Sequence, residues 1–269
     1  HIILINKNHE AISLSCGSAL EHGYDGVIIA ASLEFNCPKM TPELRKEASE
    51  LQLHKRGIRI NVQLHVIEAD EEVRLRSESE LAQRLIGLWA VSQAAHSGHY
   101  VELHNYLQAH DLMHVLSAEE SSFLHDYADN SELSDHRVQD FQNRLHAFHF
   151  LAWCAGLLDK IDLGNKPILT DKILSYFPAL NALNHVQGAP DIIVQIKSAL
   201  KARRKDVIMD WADLLYRLHW AVRHAQLNHK PCPGNIDPEM VREWHQAVNW
   251  MCNYDDENNW DKVSTETTA

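Results

Sequence analysis

Asp210-Trp211-Ala212-Asp213-Leu214-Leu215-Tyr216-Arg217-Leu218-His219-Trp220-Ala221-Val222-Arg223 is the stretch whose reading decides the fold. At about 100° per residue, Trp211, Leu214, Leu215, Leu218, Ala221, Val222 and Ala225 gather on one arc, a stripe that faces a helical core. The opposite arc carries Asp213, Arg217, His219, Arg223 and His224, with Tyr216 and Trp220 between them. A helix face built only for water is rich in Lys, Glu and Gln. Here the cations are planar forks and large rings separate them, so other chain or a ligand is expected to cover this face.

Most of the sequence around this stretch is helical in pattern. Downstream, three prolines at Pro231, Pro233 and Pro238 mark a loop into a last helix, where Met240, Val241, Trp244, Ala247, Val248 and Met251 form a buried stripe. The polar tail after it holds Trp260, which is expected to pack back. Upstream, Thr41-Pro42-Glu43-Leu44 starts a helix that stops at Gly57, and residues 58–68 read as an extended connection. Ser77-Glu78-Ser79-Glu80 has capping-box spacing. Further helices are expected over 98–116, from Ser117, over 140–158, from Thr170, from Pro190 to about Ala202, and over 206–228. Trp153, Trp211, Leu214, Leu218, Trp244 and Val248 should be largely buried.

Residues 1–40 read differently. Ile2-Ile3-Leu4-Ile5, Val27-Ile28-Ile29 and residues 33–36 are strand candidates, with a short helix over 8–21. The expected organisation is a small β-containing N-terminal segment over 1–40, a helical domain over 41–265 and a polar tail over 266–269. The fold class is mainly α, and α+β overall.

With 37 acidic against 25 basic residues the net charge is −12. Nucleic acid and anionic membrane surfaces both need a positive footprint, so neither is an expected partner. The basic run Lys201-Ala202-Arg203-Arg204-Lys205 is too short to alter that and suits the negative end of a helix instead. Five scattered cysteines with no C-x-x-C pair fit a reducing cytoplasm. No apolar run approaches the roughly 18 residues of a membrane span, and no secretory leader is evident.

Asp213-Leu214-Leu215-Tyr216-Arg217-Leu218-His219-Trp220-Ala221-Val222-Arg223, then Glu243-x-His245 with Asn249-Trp250, then Trp260-Asp261-x-Val263, resembles the domain-of-unknown-function family numbered 4272. Arg45-Lys46-Glu47 with Gly57-Ile58, Glu80 with Arg84, and Arg144 with Trp153-Cys154-Ala155-Gly156 are similar to its earlier segments, Cys154 standing where an aliphatic or small residue is more usual. The resemblance covers roughly residues 41–265. It implies bacterial-type soluble proteins, largely helical, without an assigned activity, and it supplies no catalytic residues.

The polar cluster Asp213, Tyr216, Arg217, His219, Trp220, Arg223, His245 and Asn249 is the candidate site. Its structural reading is a network: Asp213 and Arg217 have the i, i+4 spacing of an ion pair, and His219, Arg223 and His245 would tie the last two helices together. Its functional reading is an anion site in which two arginines and a histidine hold a carboxylate or phosphate. Nineteen histidines include the helical pairs His96/His99, His110/His114 and His146/His149. Each supplies at most half of a zinc site, so no metal or other cofactor is expected. The run Glu68, Asp70, Glu71, Glu72 reads as a solvated face, and Cys154 as a small hydrophobe. The function read from these residues is a non-catalytic interaction or small-ligand-binding helical domain, with a small anionic ligand or a protein as partner. The alternative is an enzyme acting on a small anionic substrate, with His219 or His245 as base and Arg217 and Arg223 as clamp.

Overall fold

The computed structural model describes residues 2–5, 11–14, 40–128, 134–164, 170–185 and 191–267. His1–Lys39 and Met40–Ala269 are separate compact units. In the first, strands Ile2–Ile5 and Ala11–Leu14 pair antiparallel with Ile2 opposite Leu14. The second strand stands where a helix over 8–21 was expected. The candidates at Val27-Ile28-Ile29 and 33–36 lie outside the described residues, so the β-containing segment is not supported as it was drawn.

The second unit is mainly helical. Its helices are α1 (Pro42–Lys55), α2 (Glu78–Ser97), α3 (Tyr100–Ala109), α4 (Ala118–Ala128), α5 (Asp135–Cys154), α6 (Thr170–Leu174), α7 (Ile192–Ala199), α8 (Lys205–Leu227) and α9 (Pro238–Met251). Local chemistry sets their starts. The Thr41 hydroxyl accepts from the Leu44 amide at 3.3 Å with Pro42 in the first turn. Ser77 and Glu80 form a complete capping box. α5 starts at Asp135, earlier than the expected Asp140, because Ser134 caps the Arg137 amide. α3 stops at Ala109, and the rest of the expected 98–116 helix is a turn through Asp111 (φ +56°) and the 3-10 segment Met113–Val115.

In the order α2, α5, α9, α8, α1, neighbouring helices pack side by side. Phe150 and Trp153 of α5, Trp211 of α8 and Trp244 of α9 meet where three helices join, with ring centroids 5.5–6.1 Å apart and mostly steep interplanar angles. Edge contacts of this kind add to the burial itself. Leu214, Leu218, Trp244, Val248 and Trp153 are buried as expected. Trp211 is half-buried, although its ring meets those of Phe150, Trp153 and Trp244.

α5 ends on a close backbone crossing. The Lys201 amide donates to the Ala155 carbonyl and the Arg203 amide to the Cys154 carbonyl, both at 2.9 Å. Gly156 (φ +75°) allows it, since a Cβ there would lie 2.2 Å from the Lys201 carbonyl oxygen. The Arg203 guanidinium donates to the carbonyls of Trp153, Leu158 and Asp159, so this one member of the basic run sits at the negative end of α5, and not of the helix that precedes the run.

Residues 58–76 form no regular element. Basic side chains from α1 and α8 hold their backbone instead. Lys46 donates to the carbonyls of Val62 (2.7 Å) and Leu64 (2.8 Å), Arg217 to that of His65 (3.0 Å), and Lys205 to those of Asp70 (2.9 Å) and Val73 (2.8 Å). Asp70 also pairs with the buried Arg45 at 2.8 Å, so it is not part of a wholly solvated acidic run. Among the described residues no helix is long and apolar enough to cross a membrane.

Candidate functional site

The polar arc of α8 divides into three environments. On the α1 side, Asp213 (0 % exposed) and Arg217 (2 %) form a bidentate pair, Nε to Oδ2 at 2.9 Å and Nη2 to Oδ1 at 2.7 Å. Glu50 lies 3.7 Å from the remaining Nη1, an ion-pair distance too long for a hydrogen bond. On the α9 side, His219 Nδ1 and His245 Nδ1 lie 2.9 Å apart, both rings buried. Facing outward, Trp220 stacks on His224 at 4.9 Å, and exposed Arg223 reaches Thr267 at 3.4 Å. Arg223 therefore stands apart from the Arg217 pair, and the two arginines do not converge on one point as an anion clamp would require.

The imidazole pair has a direction. Asn249 Nδ2 donates to the Ser264 carbonyl at 2.8 Å, which fixes the amide, and the same nitrogen lies 3.2 Å from His245 Nε2. His245 Nε2 therefore accepts, its proton sits on Nδ1, and that proton is given to His219 Nδ1. Burial, with Arg223 and Arg242 nearby, lowers the His219 pKa to about 4. Burial first, then His219 and Arg223, holds His245 well below its usual value. Two neutral rings are what this hydrogen bond needs. His149, whose buried Nδ1 has no partner among the described residues, is also lowered to about 4 by burial and by His146.

These shifts fix how stability depends on acidity. The unfolded chain binds protons on His149 and His219 near the ordinary value of 6.5, whereas the folded protein resists them until about pH 4. Stability is therefore full above 6.5, falls as pH drops toward 4 and levels off below, by on the order of 3 kcal/mol per ring. His149→Leu should remove one ring's share of the slope without breaking a hydrogen bond. Urea midpoints measured across this range check it, and an unchanged slope in the variant would contradict it.

A second set of buried charges lies along α2, α4, α5 and α9. Arg84 Nη2 contacts both oxygens of Glu120 at 2.6 and 2.5 Å. Glu243, with no exposed surface, has Arg242 at 3.1 Å and Arg144 at 3.4 Å, and burial still raises its pKa. Between Arg84 and Arg144 sits Trp260, with guanidinium carbons 4.9 and 5.9 Å from its ring, while its carbonyl accepts from Gln246. Thus Trp260 packs back as expected, and Thr267 is buried where a free polar tail was expected.

Beside this wiring lies a concavity of about 490 Å³. Of the expected site residues, Tyr216, His245 and Asn249 line it. Val73, Met209 and Ala212 also contribute, together with Glu68, Cys252 and the turn at 253–256. The sequence reading missed these last residues, since only the doublet Asp255-Asp256 after α9 marked the turn. Burial pushes the Cys252 thiol up to about 12, with Glu68 adding to the effect. Among the described residues no three His, Cys, Asp or Glu side chains converge as metal ligands, the paired histidines included.

Fold and site together define a mainly helical domain built around buried ion pairs, with a cleft between α8, residues 65–74 and the turn after α9. Residues 45–263 match the family described as Domain of unknown function (DUF4272), and the chain belongs to that family. No curated protein matches the chain, and no solved structure does.

Proposed function

We propose that this domain is a non-catalytic small-ligand-binding module whose site is the cleft lined by Tyr216, His245 and Asn249. The observation that carries the reading is the cleft itself. Its volume of about 490 Å³ falls in the range of small-molecule sites, and it combines an apolar wall with a few polar groups. The alternative, an enzyme holding an anionic substrate between Arg217 and Arg223, has less support. Arg217 is committed to Asp213 and sealed from water, and Arg223 lies apart from it. His245 lines the cleft, but both its ring nitrogens are engaged, and Cys252 is held far from thiolate. Cys154, Cys232 and Cys252 are free thiols, which supports a reducing compartment.

A fragment screen by NMR on tyrosine-labelled protein tests the reading. Ring signals of Tyr216 and Tyr254, assigned with Tyr216→Phe and Tyr254→Phe, are expected to shift with bound fragments while that of Tyr106, on α3, stays still. Fragments that bind without moving the two cleft rings would overturn it.

A further inference from the structure

Five carboxylates line the cleft, those of Glu68, Glu72, Asp255, Asp256 and Glu266, against the single guanidinium of Arg74, with His65 and His245 as the remaining titratable bases. A small anion entering this field is repelled, which is the opposite of what the arginines of α8 led the sequence to imply. The carboxylates are also dispersed: no three of them converge on one point as metal ligands do. Dispersed negative charge suits a ligand whose positive charge is itself spread along a chain.

Two further observations point the same way. Asn253 carries a buried Oδ1 without a partner among the described residues, while its Nδ2 is tied to Asp256 at 2.9 Å. An unsatisfied buried acceptor asks for an N–H or O–H donor, and Asn253 is among the residues that line the cleft. Tyr216 and Tyr254 bring phenol rings, a group that attracts cations, to the cleft lining, and Val73, Met209 and Ala212 give methylene groups an apolar wall. We propose that the cleft binds a small aliphatic amine carrying two or more ammonium groups, its N–H donors meeting the rim carboxylates and Asn253 Oδ1, its methylenes lying along the wall. Burial raises the Tyr254 pKa, and Asp255 and Glu68 raise it further.

This inference rests on the cleft being a ligand site, and the test separates the two. Putrescine, butanediol and succinate share one carbon skeleton and carry positive, zero and negative charge. Calorimetry on the full chain should show putrescine binding, spermidine binding more tightly, and both weakening as salt rises. The Glu68→Gln/Asp255→Asn double variant should bind putrescine about tenfold more weakly while keeping its melting temperature. Succinate or butanediol shifting the Tyr216 and Tyr254 rings where putrescine does not would overturn the amine and leave the cleft as a site. A lysine tetrapeptide binding in its stead would likewise overturn the small amine. Putrescine affinity unchanged in the double variant, or no putrescine binding at all, overturns the inference. The cleft reading then stands or falls with the tyrosine shifts of the fragment screen.

Discussion

Arg217→Ala is expected to lower the unfolding free energy by about 3–5 kcal/mol, because it leaves the Asp213 carboxylate buried without a counter-charge. Asp213 has no exposed surface, and its two oxygens accept two of the three hydrogen bonds that Arg217 makes. The third goes to the His65 carbonyl, so the same variant loosens residues 58–76 from α8. Urea denaturation of three proteins decides the matter: wild type, Arg217→Ala, and Asp213→Leu/Arg217→Met. Replacing both charges by apolar groups of similar size should cost far less than removing one, since most of the single-variant penalty is the stranded charge. A loss below about 1 kcal/mol in Arg217→Ala would mean that the pair is solvated, as surface pairs are.

Trp260→Ala should cost a similar amount, about 3–5 kcal/mol, the usual range for deleting a buried aromatic ring. The ring lies between Arg84 and Arg144 and packs edge-on against Trp250 at 6.0 Å, so its loss empties a space bounded by two cations that cannot collapse together. Trp260→Phe should recover most of the stability. Limited trypsin digestion gives a second readout, with cleavage after Lys262 accelerated in the alanine variant. Trypsin resistance equal to wild type would show that the segment is held without its indole.

What the sequence revealed was whatever repeats with helical spacing. The α8 stripe, the Thr41 and Ser77 caps and the Asp213–Arg217 pair at i, i+4 follow from local pattern, and the coordinates contain them. Arg223 shows the limit. Asp213 and Arg223 both lie about 140° from the centre of the apolar stripe, on opposite sides. α1 covers Asp213, whereas α9 packs over His219 and leaves Arg223 beyond it exposed, and periodicity carries no information about how far a neighbour reaches round the helix. The cleft was less legible still. Its walls come from residues 65–74, one face of α8 and the turn after α9, far apart in sequence. Residues 58–76 take their shape from side chains of other elements and have no period of their own. The acidic run at 68–72 looked solvated because its contacts come from other elements, Arg45 on α1 and Lys205 on α8, the second of them 135 positions away. The motif residues that carry the family resemblance, among them Arg45, Arg84, Arg144, Asp213, Arg217, Glu243 and Trp260, prove to be mostly the buried wiring itself.

The one-way donor chain from Asn249 through His245 to His219 makes the amide a rudder for both imidazoles. Rotating that amide by half a turn would present oxygen to His245 Nε2, forcing its proton across the ring and reversing which nitrogen of His219 is protonated. The tautomers of two buried rings are thus set by one side chain at the cleft wall, and nitrogen chemical shifts of the pair would report what touches Asn249 from outside.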